Sequence, residues 1–199
     1  MDSLECIQSR RAVRHYLPQM PDDELIEKIL AAGRLAPSAM NRQPWRFYIA
    51  THSDTISAFS KAISSAVLHE YTKKVLHHPI KTMRELMHAG KVGFDTGDPV
   101  FHGAPVVIFI TSPADNEWAG LDTGMCAQNM MLAAHSLGLA TCPIGMAKYV
   151  GLTDIYHRLE VPETEKVELA ISLGYSAETP KMPKRTGGRA VFIDRMECC

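Results

Sequence analysis

Three arginines near the start of the chain carry the first pattern that can do chemistry. Arg10, Arg11 and Arg14 lie in the segment SRRAVRHY and place three permanent positive charges within five residues. A planar guanidinium group pairs with two phosphate oxygens at once, whereas a lysine ammonium acts as a point charge. The segment therefore indicates a phosphate site. The alternative interpretation is a solvated basic turn that pairs with surface acids.

A second basic cluster lies near the other end of the chain. It consists of Lys181, Lys184, Arg185 and Arg189. Taken alone, this cluster is typical of a solvated tail, which is the alternative to a phosphate contact. Two such clusters, in a chain whose formal net charge is only −1, favour a shared target. We predict that this target is a single phosphate monoester.

Two carboxamide side chains, Asn41 and Gln43, lie in a loop bounded by Pro37 and Pro44. Each carboxamide offers both a donor and an acceptor, which suits the edge of a neutral heterocycle or a polyol. The prolines restrict the loop, so the amides keep a fixed direction at low entropic cost. The alternative is that these amides satisfy the loop's own backbone.

The segment CPIG, which ends at Gly145, follows a predicted short strand. Glycine permits close approach of the backbone, so main-chain N–H groups here can reach a heteroatom of a ligand. The alternative is an ordinary turn that ends the strand.

Several function classes lack a motif in this sequence. No GxGxxG follows a strand and there is no GxSxG, so neither a dinucleotide-binding Rossmann unit nor an α/β-hydrolase is indicated. The five cysteines form no CxxC pair, which argues against a zinc site or a disulfide framework and favours a reducing cytoplasm. The near-neutral charge gives no reason to expect a nucleic-acid partner. No apolar run approaches the ~20 residues that span a membrane, and no signal peptide is expected.

The elements that must position these residues are helices and strands without regular βαβ spacing. The patterns predict helices near 2–9, 22–33, 53–68, 118–137 and 153–159, and strands near 47–49, 104–111, 139–144 and 166–175. This order favours an α+β fold in which helices surround a mainly antiparallel sheet. We predict one domain over 1–199, with a variable lid or insertion at about 70–100. The tail at about 178–199 is expected to reach the cofactor or a partner subunit.

The helix near 118–137 is apolar on nearly every face. A helix of this kind must be buried all round. In a chain of this size, such burial often involves a second subunit.

The chain resembles the nitroreductase family of flavin-dependent oxidoreductases over nearly its whole length. The segments that carry the resemblance are SRRAVRHY, LAPSAMNRQPWRF, GAPVVIFI, LDTGMCAQNMMLAAHSLGLATCPIG and ISLGYSAETPKMPKR. The resemblance implies an α+β fold, an intertwined homodimer and FMN bound at the subunit interface. The apolar helix would then form the dimer core.

The resemblance also implies a role for each candidate site residue. Arg10, Arg11 and Arg14 would bind the phosphate and ribityl side of FMN, joined by Lys184 or Arg185. Ala12 lies among them, where many family members have a hydroxyl residue. The partner subunit would contribute its own Pro37–Gln43 loop, with Pro37, Ser38, Ala39, Asn41 and Gln43. Pro143 and Ile144 would lie against the isoalloxazine, with the Gly145 N–H near N5.

The implied activity is a ping-pong oxidoreductase that passes electrons from NADH or NADPH to a small oxidised acceptor, such as a nitroaromatic or a quinone. No side chain needs to act as a general base, so no catalytic residue and no metal ligand is assigned. Three alternatives stay open: a non-catalytic FMN carrier or sensor, a relative with another flavin chemistry such as reductive dehalogenation, and a flavin-free protein whose basic segments bind an acidic partner.

Overall fold

The computed structural model describes residues 2–77 and 97–185, together with Gly187 and Ile193. In this part of the chain the α-helices are α1 (Ser3–Ser9), α2 (Asp23–Arg34), α3 (Ser53–His77) and α4 (Ala119–Ser136). The strands are β1 (Arg46–Ala50), β2 (Val106–Pro113), β3 (Ala140–Ile144) and β4 (Glu165–Gly174). Short 3₁₀ helices cover Ala39–Asn41, Gly145–Leu152 and Tyr156–Leu159.

The strands form one sheet in the order β1-β2-β4-β3, and every neighbouring pair is antiparallel. β2 is central because its run of β-branched and aromatic residues is apolar on both faces. Val106, Ile108 and Ile110 point to one side, and Val107 and Phe109 point to the other. A strand buried on both faces requires a helical layer on each side of the sheet.

The first layer contains α2 and α4. Ile26, Ile29 and Leu30 of α2 and Met130 of α4 form one core with the sheet. The two helices approach closely at Gly33, where an added Cβ would lie only 2.7 Å from Met130 Cγ.

The second layer contains α3 and the 3₁₀ helix Gly145–Leu152. Phe59 and Ile63 of α3 pack with Ala147 and Val150 of the 3₁₀ helix against the opposite face of the sheet. Phe59 meets Phe109 of β2 edge to face, with ring centroids 5.4 Å apart. The sheet is therefore enclosed between two helical layers.

The α+β fold with an antiparallel sheet, predicted from the sequence, is confirmed. α3 continues to His77, beyond the predicted end near 68, and the 3₁₀ helix after Gly145 was not predicted. Most of the predicted insertion falls on residues 78–96, which lie outside the described residues, as do Arg189 and most of the predicted tail. Among the described helices, none has the length and apolar character needed to cross a bilayer.

Candidate functional site

The arginine segment lies along the free edge of β3. Ala12 forms a parallel bridge with Thr141, and the Val13 N–H donates to the Thr141 carbonyl oxygen at 3.0 Å. The Tyr16 hydroxyl donates back to the Val13 carbonyl oxygen at 2.8 Å. Because the backbone is held at both positions, the directions of the neighbouring arginine side chains are restricted.

A cavity of about 410 Å³ opens between this segment, the end of α4 and the chain after β4. Its walls include Arg10, Arg11, His135, Thr141 and Glu178. Two permanent cations therefore face one concave space.

Arg10 is half-buried, and its Nη1 atom is buried without a hydrogen-bond partner. Burial lowers the pKa of Arg10, and the nearby charges of Arg11 and Arg185 lower it further. Arg11 donates through Nη1 to the backbone oxygens of Gln8 at 2.6 Å and Arg10 at 2.8 Å. A buried donor without an acceptor is costly. These guanidinium groups consequently fit a phosphate, which would supply both acceptors and negative charge.

The chain after β4 is tied to the arginine segment by Glu178. Its carboxylate accepts from the Arg14 backbone N–H and lies 3.2 Å from His15 Nδ1. Burial acts to raise the pKa of Glu178, but these hydrogen bonds outweigh it and hold the pKa below its usual range. This tie directs the following residues toward Arg10. The charge of Arg185, which lies in that segment, contributes to the lowered pKa of Arg10. Lys181 and Lys184 are exposed in the same segment.

Arg14 lies close to Cys142 of β3 and to the turn that precedes β2. Its charge acts on the thiol of Cys142 and on the imidazole of His102. His102 is 4% exposed, and its Nδ1 has no partner. Burial, followed by the charge of Arg14, lowers the pKa of His102. No pattern in the sequence pointed to this histidine.

The segment CPIG forms the end of β3 and the first residue of the 3₁₀ helix Gly145–Leu152. Pro143 and Gly145 are exposed, and Gly145 begins a 3₁₀ helix, so its N–H has no acceptor within that helix. The Ile144 side chain is 4% exposed and packs in the second core. A ligand at this edge would therefore meet the backbone of Ile144, not its side chain.

The Pro37–Gln43 loop lies at the other side of the sheet. It leads into β1, whereas the arginine segment flanks β3, and these are opposite edge strands. β1 and β3 are separated by three strand spacings, or roughly 14 Å. One chain therefore does not bring the loop and the arginines together.

The loop has an unusual backbone. Met40, Asn41 and Gln43 have φ values of 53°, 53° and 47°. Left-handed conformations at residues other than glycine cost on the order of 1–3 kcal/mol each, and such strain persists only where surrounding structure imposes it. In this chain the Gln43 side-chain amide donates to the Asn41 side-chain Oδ1 at 3.3 Å and approaches the Asn41 backbone oxygen at 3.5 Å, and both residues are exposed.

The loop is anchored by a carboxylate that the sequence did not single out. Asp122 of α4 is 1% exposed, and its Oδ1 accepts from the Ala39 N–H at 3.1 Å. The Ser38 hydroxyl oxygen accepts from the Gln43 N–H at 2.9 Å and closes the loop. These two contacts impose the strained backbone.

One face of α4 next to the loop is open in the single chain. Gly120, Leu121, Gly124 and Gln128 are exposed, with Leu121 59% exposed, and they border a shallow cavity of about 380 Å³ together with Pro37. We call these four residues the α4 open face. On its other faces α4 buries eight residues, namely Ala119, Asp122, Thr123, Cys126, Ala127, Met130, Met131 and Ala134.

A model of the nitroreductase family matches residues 7–175. The chain belongs to the nitroreductase family. Its matched segment contains the arginines, the loop and the end of β3. The family predicted from the sequence is thus confirmed.

Individual nitroreductase relatives agree with the family match. The chain is 31% identical over 200 residues to a nitrobenzene nitroreductase from Ectopseudomonas oleovorans, covering 86% of each chain. It is 29% identical over 186 residues to a protein from Methanothermobacter thermautotrophicus that is named provisionally as an NADH dehydrogenase/NAD(P)H nitroreductase, covering 90% of this chain and 80% of the relative. A crystal structure of a nitroreductase with bound FMN from Bacteroides fragilis superposes with a TM-score of 0.73 at 29% identity, covering 97% of this chain and 98% of the other.

Within the part of this nitroreductase chain that the structure describes, no group of His, Cys, Asp or Glu residues is arranged to hold a metal ion. The contacts of the individual candidate residues with a cofactor stay predictions.

Proposed function

We propose that this chain is an FMN-dependent oxidoreductase that takes electrons from NADH or NADPH and passes them to a small oxidised acceptor. The observation that carries the proposal is the buried, unpartnered Nη1 of Arg10, beside Arg11 and within range of Arg185 at one cavity. The relatives support it because one is solved with bound FMN and another is named as an NAD(P)H nitroreductase.

In this proposal Arg10, Arg11 and Arg185 would hold the FMN phosphate, with Lys184 beside them in the exposed tail. Ala12 contributes its backbone only, since its methyl group can neither donate nor accept. Arg14 is suited to the ribityl side because its side chain, in the part of the chain described, makes no hydrogen bond or ion pair. Together these residues would fix one end of the cofactor.

Bound FMN would supply a ring that accepts hydride from the nicotinamide and returns electrons to the acceptor. The chain's own contribution is orientation. Pro143 and the backbone of Ile144 would support the ring, and the Gly145 N–H would donate at the N5 edge. Both reactants would use the same open face in turn, which requires ping-pong kinetics.

We also propose that the active form is a homodimer with two identical sites at the interface. The arginine segment and the Pro37–Gln43 loop lie at opposite edges of one sheet, so a cofactor that contacts both requires two chains. The α4 open face adjoins Pro37 and presents Leu121 to solvent. A second copy of the chain would cover this face and bring its own loop to the first chain's arginines.

The acceptor is proposed to be a nitroaromatic or a quinone. The relative from Ectopseudomonas oleovorans is named for nitrobenzene, which supports the nitroaromatic class. A cytoplasmic location stays a prediction, supported by the buried free thiols of Cys6, Cys126 and Cys142.

The test is a spectrum followed by two titrations. Purified protein is incubated with FMN, freed of excess flavin and titrated without oxygen, first with NADH or NADPH and then with nitrobenzene or benzoquinone. We expect retained yellow colour, bleaching by a nicotinamide, and recolouring by the acceptor. Parallel double-reciprocal plots would support ping-pong turnover.

Two outcomes would contradict the proposal in different ways. Protein that stays colourless after incubation with FMN refutes the flavin site. Retained flavin that neither nicotinamide reduces favours the carrier or sensor instead.

A further inference from the structure

His135 lies on the last turn of α4 and lines the same cavity as Arg10 and Arg11. Its Nε2 atom is 2.8 Å from Ser9 Oγ. The Ser9 hydroxyl donates its hydrogen to the Glu5 carbonyl oxygen at 2.7 Å, and a carbonyl oxygen can only accept. Ser9 Oγ is therefore placed to accept from the Nε2–H tautomer of His135. The neutral imidazole then carries its hydrogen on Nε2, and Nδ1 is the position where a second proton would bind.

We propose that His135 is a proton-linked phosphate-binding residue, whose imidazole takes up a proton from solvent when a phosphate monoester enters the cavity beside Arg10 and Arg11. This inference rests on the proposed function, because FMN is the expected source of the phosphate. It adds to that function a residue and a pH dependence that the arginines alone do not provide, since an arginine stays charged throughout the physiological range.

The charges around His135 explain why phosphate should change its protonation. Burial lowers the pKa of His135, and the charges of Arg10 and Arg11 lower it further. From the chain after β4, Glu178 faces the same cavity with the opposite charge. On α4 itself, the negative end of the helix dipole favours the charged imidazole. A bound phosphate would neutralise the arginines and attract the imidazolium directly, so the pKa of His135 must rise on binding.

The direction of the pH effect follows from this rise. Below the pKa of the free protein, His135 is already charged, and above the pKa of the complex it is neutral in both states. Between the two, binding takes up a proton, and FMN affinity falls as the pH rises through the pKa of the complex. An opposite charge within a few ångströms shifts a pKa by at least about one unit. One unit corresponds to about half a proton per FMN at the midpoint and to an affinity change of about tenfold.

The experiment compares the wild-type protein with His135→Gln, whose side-chain amide can still donate to Ser9 but cannot titrate. His157→Gln is the matched control, because His157 is exposed on the 3₁₀ helix Tyr156–Leu159. Proton uptake is measured by calorimetry of FMN binding to flavin-free protein, in two buffers of different ionisation enthalpy, from pH 5.5 to 8. Riboflavin, which lacks the phosphate, is titrated in parallel.

Near the midpoint between the two His135 pKa values, we expect wild type to take up about half a proton more per FMN than His135→Gln does. The affinity difference should approach about tenfold at the acidic end of the range and nearly vanish at its alkaline end. The second ionisation of the FMN phosphate is common to both proteins and cancels in the difference. His157→Gln should match the wild type, and riboflavin should show no difference between wild type and His135→Gln.

Equal proton uptake by wild type and His135→Gln, with FMN bound by both, overturns the inference and leaves the proposed function intact. If His135→Gln weakens riboflavin binding as much as FMN binding, the inference is also overturned, since the effect would then not involve phosphate.

A second measurement needs no folded variant: the His135 Cε1–H resonance of the wild type is titrated by NMR with and without inorganic phosphate. A rise of its pKa with phosphate supports the inference, and an unchanged pKa refutes it. Failure of the wild type to bind FMN would contradict the proposed function, while the NMR titration would still decide the role of His135.

Discussion

Replacing Arg10 with methionine should change cofactor affinity and stability in opposite directions. Methionine keeps an apolar stem of similar length but removes the guanidinium. In the flavin-free protein this removes a buried donor without a partner and a charge that lies near Arg11 and Arg185. An unsatisfied buried donor costs about 1–3 kcal/mol. After some loss of packing, we expect the free energy of unfolding to rise by about 1 kcal/mol.

The same change should weaken FMN binding. Hydrogen bonds to charged groups contribute about 1.5–3 kcal/mol. A loss of about 2 kcal/mol corresponds to a roughly 30-fold increase in the dissociation constant for FMN. Riboflavin binding should change little, because it has no phosphate for Arg10 to bind.

Two assays on the same preparations separate these effects. Urea denaturation of the flavin-free protein measures stability, and quenching of flavin fluorescence measures affinity. Arg158→Met is the control, since Arg158 is exposed and lies over the Phe59 ring on the other face of the sheet. The gain in stability should shrink in high salt, because salt screens repulsion between exposed charges. A flavin-free Arg10→Met protein that is less stable than wild type, or that binds FMN within twofold of it, would refute the reasoning.

Three further substitutions test other parts of the structure. Gly174→Ala should destabilise the protein by about 2 kcal/mol in urea denaturation, because the added Cβ would lie 2.7 Å from the Pro105 ring and 3.1 Å from the Tyr16 ring. Gly151→Ala is the control and should be nearly neutral, because its added Cβ would have nothing within 4 Å. Asp122→Ala removes the acceptor for a loop N–H, so we expect a loss of about 1–3 kcal/mol of stability and faster proteolysis of the loop; an unchanged cleavage rate would contradict its anchoring role. Gly124→Glu has room in the single chain but would place a charge on the α4 open face. Sedimentation should therefore shift from dimer to monomer, while the circular dichroism spectrum stays unchanged. A persistent dimer would rule out this face as the interface.

The strands and the family could be predicted from sequence because their signals are local. The run APVVIFIT is short, rich in β-branched residues and bounded by Gly103 and Pro113, which favours a buried strand over a helix. The arginine segment, the amide loop and CPIG occur in a fixed order that marks the family. The end of α3 was missed because α3 has little amphipathic periodicity, so the sequence pattern does not mark where the helix ends.

Much of the candidate site depends on contacts between residues distant in the chain. Glu178 meets the Arg14 backbone across 164 positions, and the Ala39 N–H meets Asp122 across 83. No local pattern encodes such pairs, and the same holds for Ser9 and His135. The left-handed backbone of Met40 was also hidden, since neighbouring structure, not propensity, imposes that conformation.

The sequence by itself therefore determined the four strands, the four α-helices, the antiparallel α+β class, the family and the two basic segments, because periodicity, side-chain chemistry and motif order are properties of neighbouring residues. Only the tertiary structure decided that Arg10 carries a buried donor without an acceptor, that His135 shares its cavity, and that the amide loop lies at the opposite sheet edge. These facts depend on which distant segments the sheet brings together and which it holds apart.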